Sequence, residues 1–277
     1  MVSSLRSRLT EAVLVGVFIC APGAQALESP WVEASHSQVR MLADGEVGKN
    51  VRAGIEIKLA PGWKTYWRYP GDAGVPPRFD WSGSENLASA EIRWPRPELL
   101  IDNSGAKSIG YHDHVVFPVL IQAADPAQPV RMKLKLDYAI CEKLCIPADA
   151  FLMLDVPPQL DGLSEALEQA DASVPQRVPF GDKEGLAITK AELERGAKLR
   201  AIIEVSAPQD VPAQLFAEGP SDKWAFPLPE QIGWSGNKLR FALDFEGAAP
   251  PDSEPAPHKL ILTLVAGSAI EVEVPLE

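Results

Sequence analysis

Prolines and glycines interrupt this chain so often that long helices are excluded. The 277 residues hold 26 prolines and 20 glycines, roughly one breaker in every six positions. Proline removes a backbone donor and clashes inside a helix, and glycine weakens helix and strand alike, so short strands joined by many turns are the expected solution. Hydrophobic residues make up 46% and charged residues 23%, enough to bury a real core and too apolar for a disordered chain. The formal net charge of −12 argues against a nucleic-acid partner, because neutralising phosphates needs a clustered cationic surface.

The strand signal is period-two alternation. It recurs over 32–43, 50–59, 113–122 and 130–140, each run bounded by Gly, Pro, Asp or Asn. The clearest is Val130 to Ile140, where Met132, Leu134, Leu136 and Tyr138 share one face and Arg131, Lys133, Lys135 and Asp137 the other. A further strand is expected over Phe151–Val156. After Pro157-Pro158, the residues Leu163, Ala166, Leu167 and Ala170 fall at helical spacing within Gly162–Ala172. Strand patterns then resume over Ile188–Leu193, Leu199–Val205, Leu239–Phe245, Leu260–Val265 and Ala269–Val274. The expected fold is all-β: two immunoglobulin-like β-sandwich modules, 28–160 and 181–277, joined by a linker over 161–180 with a short helix. WSGSENL at 81–87 and WSGNKL at 234–239 hint at internal duplication.

The first 26 residues read as a secretory signal. Arg6 and Arg8 form the basic start, Ala12–Cys20 the apolar stretch, and Ala24-Gln25-Ala26 a small-x-small cleavage site. Phe18 and Ile19 before Cys20 are bulkier than a lipidation site favours. No apolar stretch reaches the ~20 residues that a membrane-spanning helix needs, so the product is expected to be soluble outside the cytoplasm.

Two cysteines then remain, Cys141 and Cys145 in DYAICEKLCIPADA, four residues apart after the clearest strand. An extended chain would hold their Cα atoms about 13 Å apart, so the segment must bend if they are to bond. A bridge closing so small a loop adds only about 2 kcal/mol of unfolded-state constraint. Three readings stay open: a redox-active dithiol, a structural bridge, or a metal site that His112 and His114 would complete from one face of a strand. Trp63, Tyr66, Trp67 and Tyr69 crowd beside Pro and Gly, as end-of-sandwich packing or as a docking surface. No GxSxG, HExxH, Walker or GxGxxG pattern occurs, and no cofactor is implied.

GWKTYWRYPGDAGVPP at 62–77 and DYAICEKLCIPADA at 137–150 together resemble the amino-terminal periplasmic domain of the disulfide reductase DsbD, especially its ScsB-like relatives. WPRPELLIDNSGAKSIGYHDHVVFPVLI at 94–121 fits the same pattern. The resemblance implies an immunoglobulin-like sandwich in the periplasm that passes electrons by thiol-disulfide exchange. Cys141 and Cys145 would be the redox pair, with Cys145 forming the mixed disulfide. A membrane-embedded thiol reductase would supply electrons, periplasmic thioredoxin-fold proteins would receive them, and the chain would act as a protein-disulfide reductase component. It also implies a cap over the disulfide at about Glu98–Asn103, where Leu99, Leu100, Ile101 and Asp102 stand in place of aromatic residues. The competing expectation is a non-enzymatic copper- or zinc-handling or protein-binding sandwich that uses Cys141, Cys145, His112 and His114.

Overall fold

A computed structural model describes residues 26–45, 50–71, 74–102, 105–182, 184–250 and 256–276; the signal region 1–25 lies outside them. The described residues form four sheets stacked as two sandwiches, with one helix between.

In the first module, one sheet runs β1 (Leu27–Glu28), β3 (Ser37–Asp44), β4 (Asn50–Leu59), β10 (His114–Ala123) and β7 (Leu87–Ile92), with β2 (Val32–Ala34) paired to β3. The facing sheet runs β12 (Cys145–Val156), β11 (Val130–Cys141), β5 (Lys64–Tyr66), β9 (Lys107–His112) and β8 (Glu98–Ile101), with β6 (Arg78–Asp80) paired to β11. Every inward residue expected of β11 is buried: Met132, Leu134, Leu136 and Tyr138 meet Ile55, Ile57 and Phe117 of the other sheet in one core. Alternation works here because strand side chains change face at each residue, so one buried face demands every second residue apolar.

Two boundaries differ from the expectation. The run 32–43 is a hairpin rather than one strand, because the chain turns at Ser35 with φ 53°. The strand expected at 151–156 begins six residues earlier, at Cys145, where Pro147 sits on an edge strand and costs no ladder hydrogen bond.

The helix α1 spans Glu165–Ser173. Ser164 caps it, accepting from the Leu167 amide at 3.3 Å. Leu167 and Ala170 lie against Leu42 and Val116 on the outer face of the first sheet. Gly54 makes room, since a Cβ there would stand 2.3 Å from Leu167 Cδ2. Leu163, expected on the buried helical face, precedes the cap and is exposed. Hydrogen bonds from Ser164 and Arg52 to the buried Asp44 carboxylate tie the helix entrance to β3 and β4, and the Asp44 hydrogen bond holds the Arg52 pKa above its ordinary value.

In the second module, β13 (Gln176–Arg177) runs parallel to β20 (Ser268–Pro275), which pairs with β19 (Lys259–Ala266) and then β16 (Gln214–Glu218). The facing sheet is β14 (Ala187–Arg195), β15 (Leu199–Ser206), β18 (Lys238–Asp244) and β17 (Glu230–Ser235). Ile203, Phe241 and Leu243 pack against Leu262, Leu264 and Val272. The WSG segments do not mark a repeat. The one at 81–87 carries the chain from β6 in one sheet to β7 in the other, whereas the one at 234–239 is a tight hairpin between β17 and β18.

Candidate functional site: a disulfide at a hairpin tip

Cys141 is the last residue of β11 and Cys145 the first of β12, and they are register partners across the hairpin. Glu142, Lys143 and Leu144 make the turn. Their Cα atoms are 4.1 Å apart and the sulfurs are bonded at 2.08 Å. The bend that the spacing requires is therefore a hairpin loop.

Strand parity decides which way the sulfurs face. Ile140 shares the inward parity of Tyr138, so Cys141 points away from the core together with Ala139 and Asp137. That outward position is nonetheless covered for Cys141, which forms a small apolar cluster with Tyr66 and Ala139 and is 6% exposed. Cys145 is exposed, and Leu144 beside it is 80% exposed. The bond thus joins a sheltered cysteine to an accessible one.

Tyr66 is the nearest chemical neighbour. Its ring is buried, and its hydroxyl stands 3.1 Å from Cys145 Sγ. Burial, with the Asp102 carboxylate as a second cause, pushes the Tyr66 pKa up, so its hydroxyl keeps its proton at neutral pH and can donate to a thiolate at Cys145. Thr65 turns to the other face and donates to the Ala139 carbonyl at 2.9 Å. Lys64 is the register partner of Cys141, with its ammonium on Ser108 Oγ at 3.2 Å. Gly110 on β9 is required by this packing, since a Cβ there would lie 2.0 Å from the Thr65 carbonyl oxygen.

The four expected cap residues sit in two settings. Leu99, Leu100 and Ile101 belong to edge strand β8, paired with Ile109, Ser108 and Lys107 of β9. Leu99 packs on the core, Leu100 is buried and Ile101 is exposed. Asp102 begins the turn that follows, accepting from the Ala106 amide at 3.0 Å, and its charge reaches the Tyr66 hydroxyl. A run of four residues, Glu98–Ile101, shows too little alternation to be read as a strand.

The two histidines do not share a strand face, and only His112 lies in the sheet of the cysteine hairpin, across Lys64 from Cys141. His112 ends β9 and His114 begins β10, strands of different sheets, with Asp113 at φ 55° between them. His112 Nδ1 lies 3.1 Å from a Glu98 carboxylate oxygen, and His114 Nε2 lies 2.8 Å from one of Glu56. Burial alone would push the Glu56 carboxyl up, but hydrogen bonds with His114 and Arg40 outweigh it and hold the group below its ordinary pKa. Among the described residues, no group of three or more His, Cys, Asp and Glu could hold a metal ion. The expected alternative set Cys141, Cys145, His112 and His114 is therefore not assembled, because a change of sheet at Asp113 separates what alternation within one strand would have aligned.

The aromatic motif divides its work. Trp63 stacks on His36 with centroids 4.2 Å apart, Tyr66 meets Cys145, and Trp67 and Tyr69 reach the second module. Trp67 is fully buried and packs on Phe216, and the Tyr69 hydroxyl donates to the Phe226 carbonyl at 2.8 Å.

Residues 35–157 match the family described as thiol:disulfide interchange protein DsbD, N-terminal. The first module is a DsbD N-terminal-like domain. Its disulfide closes the hairpin within the matched range, and Tyr66 and Asp102 lie in that range too. Over both modules, the chain resembles the crystal structure of the N-terminal periplasmic domain of ScsB from Proteus mirabilis, with a TM-score of 0.70 and 23% identity, covering 91% of this chain and 99% of that one. At that identity the likeness speaks for the fold alone, which is shared across both sandwiches. No curated protein matches the chain. No helix among the described residues is long and apolar enough to cross a membrane.

Proposed function

We propose that this chain is a periplasmic thiol-disulfide exchange protein, soluble after removal of its signal, that carries electrons from a membrane-embedded reductant to thioredoxin-fold partners. Its units would be the exchange module 28–160, the linker 161–180, whose strand β13 joins a sheet of the second module, and the second sandwich 181–277. The observation that carries this reading is the unequal exposure of the two cysteines in one small ring. An incoming thiolate has access to Cys145, and Cys141 is positioned to leave.

The reaction balances without a cofactor. A donor thiolate attacks Cys145 Sγ, the Cys141–Cys145 bond breaks, and Cys141 departs as a thiolate. The donor's second thiolate then resolves the mixed disulfide, leaving both cysteines reduced and the donor oxidised. Toward an acceptor the sequence reverses: the Cys145 thiolate attacks the acceptor disulfide, and Cys141 resolves the intermediate. Tyr66 would stabilise the attacking thiolate by donating its hydroxyl hydrogen. The expected cap segment Leu99, Leu100, Ile101 and Asp102 would border the pair and limit which partners can dock, leaving Cys145 itself open to a partner thiolate.

Equilibration in defined thiol-disulfide buffers tests the reading. A single reversible two-electron transition is expected, with mixed disulfides trapped through Cys145 when Cys141→Ala removes the resolving sulfur and none trapped in Cys145→Ala. A bond that stays oxidised at potentials that reduce ordinary exposed disulfides would overturn it.

A further inference from the structure

Four consecutive residues connect the disulfide to the second module. Tyr66 touches Cys145, and the next three residues all bind the other sandwich. Trp67 packs on Phe216, whose ring lies 5.9 Å away at 53° and belongs to the core of the first module although β16 carries it. Arg68 places Nε 2.9 Å and Nη2 2.6 Å from the two Glu218 carboxylate oxygens, and Nη2 also donates to Glu271 at 2.5 Å. Its guanidinium lies 4.4 Å over the Trp67 ring. Tyr69 completes the series on the Phe226 carbonyl.

The strand that holds Tyr66 is short. β5 has three residues and a single register pair with the cysteine-bearing strand β11, at Lys64 and Cys141. On its other side β5 pairs with β9, and beyond Tyr66 the Trp67 amide donates to the Ile109 carbonyl of β9 at 3.0 Å and the Pro70 carbonyl accepts from the Ile109 amide at 2.9 Å, while the side chains of Trp67, Arg68 and Tyr69 turn to the second module. Planar two-pronged ion pairing is the most directional anchor a side chain offers. All three groups are mostly withdrawn from solvent, with side-chain exposures of 24% for Arg68, 17% for Glu218 and 12% for Glu271.

We infer that the second module governs the reactivity of Cys145, with Arg68 as the positioning residue that holds the Tyr66 hydroxyl against its sulfur. This rests on the exchange reading and gives the cysteine-free sandwich a task within it. Tyr66 is the donor to the sulfur, and Arg68 acts only through it. The other charged or titratable groups near the pair are Lys64 on the same strand, Glu142 and Lys143 in the turn, His112 on β9 and Asp102 after β8. None of these belongs to the second module, so breaking the Arg68 anchor alters none of them directly.

Alkylation of Cys145 in the chemically reduced, full-length protein, followed by peptide mass across pH 5–10, tests the coupling. Tyr66→Phe removes a donor to the thiolate, so at pH 7 Cys145 should react roughly three- to tenfold more slowly, with its midpoint at higher pH. Arg68→Met should move the profile in the same direction, and the double variant should move it no further than Tyr66→Phe alone. If Arg68→Met does not fold, Arg68→Met/Glu218→Gln/Glu271→Gln removes the partly buried charges together and takes its place. A wild-type profile in the Arg68 variant, an unchanged profile in Tyr66→Phe, or additive shifts in the double variant would each overturn the inference. Failure of the exchange reading shows separately, as a wild-type disulfide that thiol buffers do not open.

Discussion

Each module contains a long antiparallel hairpin, and the two hairpin tips are used in opposite ways. In the first module β11 and β12 run twelve residues each and end in the cysteine pair, of which Cys145 projects with Leu144 into solvent. In the second, β19 and β20 run eight residues each and close through Gly267 at φ 75°. That tip faces the first module, where Arg96 donates to the Gly267 carbonyl. One tip is presented for reaction and the other is spent on assembly. A shared sandwich architecture thus fixes where a hairpin ends, while the residues at its end decide what the position is for.

The largest contrast between the tips should appear on deleting a sulfur. Cys145→Ala is expected to abolish exchange with any dithiol, while unfolding stability falls by only about 2 kcal/mol, the constraint of so small a ring. Exchange assays and urea unfolding on the same preparations read both quantities. Gly267→Ala, at a left-handed position, should cost about 1 kcal/mol and leave exchange unaltered.

The seam that joins the two regions is expected to respond next. Trp67→Ala removes a fully buried ring between the modules and should lower stability by about 3–5 kcal/mol. Trp234, partly exposed on β17, should tolerate the same change within about 0.5 kcal/mol. A Trp67 variant as stable as the Trp234 variant would mean that the seam contributes no packing.

Acid should weaken the first module at Glu56. The Glu56 carboxyl is held below its ordinary 4.5 in the folded protein, so its stabilising contribution is complete above that value and is lost as pH falls through the folded pKa. Glu56→Gln is therefore expected to flatten the fall in stability between pH 5 and pH 3, measured by denaturant unfolding. At the other end of the scale, the raised Tyr66 pKa means that Cys145 reactivity around neutral pH should show no Tyr66 titration. The smallest effect belongs to Leu144→Ser, whose exposed side chain should change stability by less than about 0.5 kcal/mol.

Much of the scaffold was legible in advance because it depends on local periodicity. The alternation of Val130–Ile140 predicted an inward face that is buried residue for residue, and the 3.6-residue spacing around Leu167 predicted the helix. The same parity, carried one residue further, would have placed Cys141 on the outward face. Where alternation ran across a turn it misled: at Ser35 it hid a hairpin, and at Asp113 it joined two strands of different sheets, putting His112 and His114 on a face they do not share. Tyr66 stood inside a recognised aromatic motif, yet nothing in its spacing distinguished it from Trp63 or Trp67. Arg68, Glu218 and Glu271 gave no signal at all, being separated by 150 and 203 residues along the chain.

Sequence alone determined the class of fold, the outline of the two sandwiches and the five-residue segment on which the chemistry rests, because each depends on residues adjacent along the chain. Tertiary structure decided which cysteine is sheltered, which hydroxyl meets the other, and that the second sandwich grips the strand next to them. Those facts depend on long-range pairing between strands and modules, whose register is set by packing that no local pattern contains.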